Sequence, residues 1–399
     1  MIGARMRQAR LASGLSLAQV AERLGGTITR AGLSKYELGK STPGADFLSR
    51  LAHVLGVKAS YFLQEHSVEV RWLAYRSHAR LGARDRGKIQ AFAVKQIEGQ
   101  MWLRSLLHED ERPRFPSLTR VISPQDAEAA ADRLRRSWGL GDLPIESMTS
   151  LVEDRGGLVL GWPEDGRFDS LAGWVNERIP VILVNLRAPD DRRRYDIAHE
   201  VGHIVMKSEP GKGAAEEAVA HRFAAAFLVP AQAAVRELGR RRRSLDLQEL
   251  GLLKRKYGFS MQAWIRRARD LEIVGEGHYR QLNVLFRSRG WHRVEPFPYH
   301  GDETPRRCLQ MARHALAESL VTRDSIDAAC PGLVCEGEGV EAYVSPEFEA
   351  VRLARCTPEE RFAALSAAAD AAADVYAADD ELTAFTELDS EEFHRYEKG

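Results

Sequence analysis

The chain has 399 residues, a formal net charge of zero and four cysteines. That length accommodates two or three domains, each able to bury its own core. The neutral average offers no global field to nucleic acid, and the lack of any run of about 18 uncharged apolar residues argues against a membrane span.

Charge is nonetheless uneven. The opening segment carries mostly Arg and Lys among its charges, whereas the stretch after Thr357 is strongly acidic, so charge has to be read domain by domain. MIGARMRQAR has no apolar h-region and does not read as a secretory signal, which gives a cytoplasmic expectation. Cys308, Cys330, Cys335 and Cys356 form no C-x-x-C pair and read as reduced thiols. A second metal site using Cys308, His314 or Cys335 is the alternative.

Residues 1–65 read as short helices with tight punctuation. LSLAQVAERL is apolar on one helical face, with Ser16 placed as its N-cap and a turn at Gly25 and Gly26. The next helix is expected from about Thr29 to Leu38, exposing Thr29, Arg30, Ser34 and Lys35. Short polar and cationic side chains in the N-terminal half of a helix are what major-groove reading requires. GKSTPG breaks that helix, and FLSRLAHVLGV supplies another.

Residues 66–118 read as connecting helices, because VRWLAYRSHARL and KIQAFAVKQIEGQMWLRSLL place apolar residues at three- and four-residue spacing. The two prolines of ERPRFPS mark a boundary. SPQDAEAAADRLRRSWGL then begins a new domain with a Ser cap, a Pro at the first helical position and a Gly stop. GGLVLGW and PVILVNL read as strands with LAGWV between them. LAGWV is a candidate edge strand for an extended substrate. Two helices follow, RRRYDIAHEVGHIVMK and AAEEAVAHRFAAAFLVP, the second ending at Pro230. LDLQELGLLKRKYGFSMQAWIRRARDL gives two more. After about Gly275 the signals weaken: EPFPYH reads as a linker, and the Ala-rich acidic end as a packing helix or a partly disordered tail.

The first of those two helices carries His199-Glu200-x-x-His203. Residues at i and i+4 share a helical face, so both imidazoles can reach one Zn2+, and Glu200 can reach a water on it as general base. A third ligand is required, and Glu209, Glu216, Glu217 and His221 are the candidates. Glu217 and His221 share a face, so one can bind the ion while the other orients the ligands. Arg240, Arg241, Arg242 and Arg243 form a run that reads either as a solvated surface or as a nucleic-acid patch, which could let single-stranded DNA act as an activator.

Two resemblances follow from these motifs. Residues 1–63 resemble an XRE-type (Cro/repressor-like) helix-turn-helix domain, carried by the Ala21–Leu24–Gly25 turn, SKYELGK, Pro43 and LAHVLGV…YFL. The resemblance implies that Arg10 pairs with Glu37, which makes Glu37 structural. A turn longer by about two residues and Gly32 inside the reading helix depart from the pattern. Residues 119–275 resemble the ImmA/IrrE-type zinc metallopeptidases, carried by FDSLAGWV, PVILVN, DRRRYDIAHEVGHIV and E-x-x-A-H-R-F-A-A-A-F-L-V-P. That resemblance selects Glu217 as third ligand, with Glu216 as fallback, and puts His221 where the family often has Asn.

The combined expectation is a multidomain chain. An all-α helix-turn-helix domain occupies 1–65 and a helical linker 66–118. An α+β zincin-like peptidase domain with a small mixed sheet occupies 119–275, and a mainly α C-terminal region with an acidic tail 276–399. The resemblances imply a homodimer on duplex DNA and a zinc endopeptidase cleaving a helix-turn-helix repressor, an antitoxin or itself in a stress or mobile-element response. The alternative is a repressor whose peptidase-like domain is a non-catalytic sensor.

Overall fold

A computed structural model of the chain describes residues 2–63, 68–77, 82–108, 113–116, 119–164, 168–208, 214–330 and 333, with scattered positions between 357 and 369. The acidic tail, Glu209, Cys335, Cys356 and most of the Ala-rich tract lie outside the described residues.

Four helices, α1 (Ile2–Ala12), α2 (Leu17–Arg23), α3 (Arg30–Glu37) and α4 (Ala45–Leu55), and a 3-10 turn (Ala59–Leu63) enclose a small apolar core. Met6, Val20, Leu33, Leu51 and Phe62 are its centre. Ser16 caps α2 in a full capping box with Gln19, which satisfies end N–H groups the helix itself cannot pair. Gly25 and Gly26 are both left-handed, at φ 69° and 71°, so the lengthened turn needs residues without a Cβ at two successive positions. Arg10 grips Glu37 in a two-pronged pair at 2.6 and 2.8 Å, tying α1 to the end of α3.

The segment after this core departs from the sequence expectation. VRWLAYRS is not helical; it forms strand β1 (Val70–Ser77), antiparallel to a strand almost a hundred residues further on. Val70 and Trp72 pack on one side of the sheet and Leu73 on the other, with a bulge following Trp72. A short run of aromatic and branched residues fits either period, and the unpaired backbone edge of the sheet decides for strand.

The helix α5 (Ala83–Leu106) that follows is 24 residues long, about 36 Å at 1.5 Å per residue. It is a spine rather than a linker. Near its start, Gly87 lies against Leu11; further along, Glu98 pairs with Arg5 of α1 at 2.6 Å. Ile89, Ala93 and Ile97 cover one face of the sheet, and Leu103 joins a cluster beyond it.

After β2 (Thr119–Val121), α6 (Pro124–Ser137) and α7 (Met148–Asp154) come the sheet strands β3 (Leu158–Trp162), β4 (Phe168–Val175) and β5 (Ile179–Asn185). The order is β1-β4-β5-β3, with β1/β4 and β4/β5 antiparallel and β5/β3 parallel, a small mixed sheet as expected. The LAGWV segment lies in β4, which is paired on both sides; it is therefore not an edge strand open to substrate.

The other face of the sheet carries the largest core, built from α8 (Asp190–Val205), its short continuation β6 (Met206–Ser208), α9 (Ala214–Leu228), α10 (Ala231–Leu238), α11 (Leu247–Tyr257), α12 (Met261–Asp270) and α13 (Glu276–Ser288). Two further helices, α14 (Arg307–Ala317) and α15 (Arg323–Ala329), pack on α5 with the free thiols Cys308 and Cys330 among apolar side chains. No single described helix is long and apolar enough to cross a membrane.

The boundary expected at Gly275 does not separate two bodies. Glu303 is fully buried and accepts from the backbone N–H groups of Met148 and Thr149 at 2.9 and 2.8 Å, capping α7, while pairing with Arg194 of α8 at 2.8 Å. Glu295 likewise accepts from Met261 N and Gln262 N at the start of α12 and pairs with Lys254 at 3.0 Å. EPFPYH and its neighbours are thus structural straps. A lone Glu in a proline-rich stretch does not announce that role, because its partners lie more than thirty residues away in sequence.

Removing Glu303 leaves Arg194 charged and buried without its partner and strips the cap of α7. Glu303→Ala is expected to lower unfolding stability by about 3–5 kcal/mol, read from the denaturant midpoint of the full chain. A change within about 0.5 kcal/mol, the usual range for a surface position, contradicts the strap.

Candidate metal centre

Helix α8 begins with Asp190 and Asp191, whose charges suit the positive end of its dipole. It then runs into the core, burying His199, Glu200 and His203 almost completely. The i, i+4 spacing sets both imidazoles on one face, and their Nε2 atoms lie 3.1 Å apart.

The next helix supplies the carboxylate. Its approach to α8 is close: a Cβ at Gly202 would stand 3.0 Å from Phe223 Cδ1 and 3.3 Å from Met206 Cε, so any larger residue pushes α9 away. From behind, α9 is held by charge. Arg135 of α6 donates to the Phe227 carbonyl, and Glu128 of α6 pairs with both Arg222 of α9 and the fully buried Arg267 of α12. Arg267 also donates to the Val229 carbonyl at 3.0 Å.

So placed, Glu217 has Oε2 3.2 Å from His199 Nε2 and Oε1 3.5 Å from His203 Nε2. Zinc bonded at 2.0–2.1 Å in a tetrahedron separates its ligand atoms by about 3.3 Å, and the imidazole–imidazole distance of 3.1 Å and the two contacts made by the two Glu217 oxygens, 3.2 and 3.5 Å, lie close to that length. Two imidazoles and a carboxylate are a zinc donor set. Glu216 lies on the other side of His203, 3.8 Å from Nδ1, and does not join the triangle.

The electrostatics agree with cation binding. Hydrogen bonds from His199 and then His203 hold the Glu217 carboxyl well below the usual range, so it is ionised. Burial pushes the His203 imidazole down, but its hydrogen bond to Glu217 and the charges of Glu200, Glu217 and Glu216 outweigh that and raise it overall. The pocket is negative and suits a positive occupant.

Two residues beside the triangle are new. Ser170 of β4, itself buried, donates from Oγ to Glu200 Oε1 at 2.6 Å and so fixes the carboxylate. Its sequence signal is a serine at an inward position of FDSLAGWV, readable only once β4 is known to lie beneath α8. Tyr195, one turn before His199, stacks on His221, and its hydroxyl oxygen lies 3.1 Å from His221 Nδ1 and 3.3 Å from the His221 carbonyl.

In the N-terminal domain, Thr29 is the N-cap of α3 and accepts from Gly32 N at 3.1 Å. Arg30 and Lys35 are exposed on that helix, while Ser34 is half-buried rather than exposed.

Comparison with known proteins agrees with both halves. Residues 6–62 match a family model described as helix-turn-helix, and residues 163–269 match a peptidase family model described as IrrE N-terminal-like domain. The chain therefore joins a helix-turn-helix domain to an IrrE N-terminal-like domain. The first match spans α1 to the 3-10 turn; the second spans β4 to α12 and includes the whole donor triangle. A curated relative, the SPbeta prophage-derived uncharacterized HTH-type transcriptional regulator YonR of Bacillus subtilis strain 168, is 39% identical over 64 residues. That alignment covers 16% of this chain and 57% of the relative.

The arginine run is less uniform than its sequence. Arg242 is taken by Glu249 at 2.6 and 2.7 Å, leaving Arg240, Arg241 and Arg243 exposed. Helix α10 lies between the run and α9, the helix that carries Glu217. The nearby cavity mixes Arg241, Arg242 and Arg269 with Glu272 and Glu276.

Removing one vertex of the donor triangle should abolish tight binding. Elemental analysis of His199→Ala is expected to show zinc lost from a folded protein, against one zinc per chain in the parent. Stoichiometric zinc retained by the variant contradicts the assignment.

Proposed function

We propose that the chain is a DNA-binding transcriptional regulator and a zinc-dependent endopeptidase, cleaving a helix-turn-helix repressor, an antitoxin or itself in a stress or mobile-element response in the cytoplasm. The observation that carries the peptidase half is the triangle of His199, His203 and Glu217 with Glu200 one residue from a ligand and fixed by Ser170. Zn2+ held there supplies the positive charge that acidifies a water and polarises a peptide carbonyl.

The remaining work falls to the chain. Glu200 takes the water's proton as general base and later delivers it to the leaving amine. Ser170 keeps that carboxylate aimed through its hydrogen bond to Oε1. His199 and Glu200 are almost wholly buried, and the low dielectric around them strengthens the interactions they make.

The DNA-binding half rests on α3. Arg30 and Lys35 present cations on an exposed helix surface, and Thr29 sits at its N-terminus, the end that enters the major groove in this architecture. A homodimer reading two half-sites is the expected form. The Bacillus relative is named as a transcriptional regulator, which supports this half alone.

The peptidase half is tested with Glu200→Gln. The variant is expected to keep zinc and fold while cleavage of a helix-turn-helix repressor panel, or of itself, drops by about 100-fold or more. An unchanged rate refutes the general-base role, and zinc binding with no cleavage by the parent protein favours the sensor.

For the DNA half, Arg30→Ala and Lys35→Ala are each expected to weaken binding to the region upstream of the chain's own gene. Each is also expected to lower the salt slope by about 1 for every phosphate the side chain neutralises in the parent. The absence of any salt-dependent binding by the parent protein contradicts this half.

A further inference from the structure

Three protein donors leave one position of a tetrahedral ion open, and His221 lies close to two of the three, His199 and Glu217. A ring nitrogen of His221 comes within 4.8 Å of the ligand atoms of His199 and Glu217. Its ring centroid is 4.6 Å from that of His199, as close as the 4.8 Å between His199 and His203.

The Nδ1 edge of the His221 ring is engaged. Tyr195 Oη lies 3.1 Å from Nδ1 and 3.3 Å from the His221 carbonyl. A phenol has one proton to give. Donated to the carbonyl, that proton leaves the Tyr195 oxygen as acceptor for Nδ1–H. Nε2 then carries the lone pair, the tautomer a metal ligand needs.

We propose that His221 is a fourth, exchangeable protein ligand of the metal, closing the resting centre with His199, His203 and Glu217, and that Tyr195 is the positioning residue that holds its ring in the ligating tautomer. Four protein donors are the mark of a closed zinc site, three that of an open one. The proposal rests on the zinc peptidase reading and adds its regulation: the centre is shut until His221 is displaced.

The structure provides a place for the ring to go. Tyr195 and His221 both line a cavity of about 180 Å3, together with Arg222, Phe259, Ala263 and Arg266. On the same measure one water needs roughly 10–15 Å3, so the space accepts an imidazole ring in exchange for waters. A partner that binds better when the ring has moved into the cavity opens the centre, and one that binds both states equally does not.

X-ray absorption at the zinc edge of the full-length protein tests this without relying on activity. The parent is expected to show three imidazoles on zinc, and His221→Asn two, with a water or other light ligand in its place. Tyr195→Phe is expected to fall between, because the ring loses its fixed tautomer, a change that a purely structural role for Tyr195 does not produce. Acetohydroxamate, which needs an open position, is expected to bind His221→Asn at least about tenfold more tightly than the parent. Two imidazoles in a zinc-loaded parent overturn the proposal and leave the triangle standing, even where the variants fail to fold. No zinc in the parent overturns both. Equal imidazole counts and equal hydroxamate affinity in parent and His221→Asn overturn the proposal alone.

Discussion

Two buried imidazoles on one helix meet a carboxylate from the next, and everything else in the central domain is arranged around that meeting. Burying His199, His203 and Glu200 in an apolar core is costly unless their polar atoms are matched. Glu217 matches two of them at 3.2 and 3.5 Å only because α9 runs hard against α8 at Gly202. The Arg222–Glu128–Arg267 network and the Arg135 bond to Phe227 keep α9 at that distance. On its other side, α8 lies on β4, which brings Ser170 to Glu200. The sheet, the arginine network and the slim helix face thus serve one geometry.

Helix α5 gives the two modules a common frame. It touches α1 through Glu98–Arg5, and Arg84 donates to the Gly14 carbonyl nearby. The same helix covers the sheet face opposite the site and receives α14 and α15. The packing of the helix-turn-helix core and that of the sheet thus meet on one continuous helix.

Much of this is legible in the sequence, for identifiable reasons. Capping residues such as Ser16 and Ser123 and the glycine turn at Gly25 and Gly26 act locally, so their signals survive without tertiary context. The i, i+4 histidines are likewise local, and a carboxylate on the following helix is foreseeable from the order of the elements. The hidden features are all long-range. The apolar residues of β1 fit a helix as well as a strand, and only the open side of β4 resolves the choice. Glu303 and Ser170 carry no local signal because their partners lie 109 and 30 residues away. His221 is visible as a departure from the family's pattern, but its Tyr195 partner emerges only when α8 and α9 are placed side by side.

The central claim is the place of the metal, and anomalous scattering tests it most directly. Crystals of the full chain grown with zinc, measured on both sides of the zinc absorption edge, should show one anomalous peak per chain within bonding distance of His199 Nε2, His203 Nε2 and a Glu217 oxygen, at about 2.0–2.2 Å. No peak at that position, or a peak coordinated by other residues, contradicts the account.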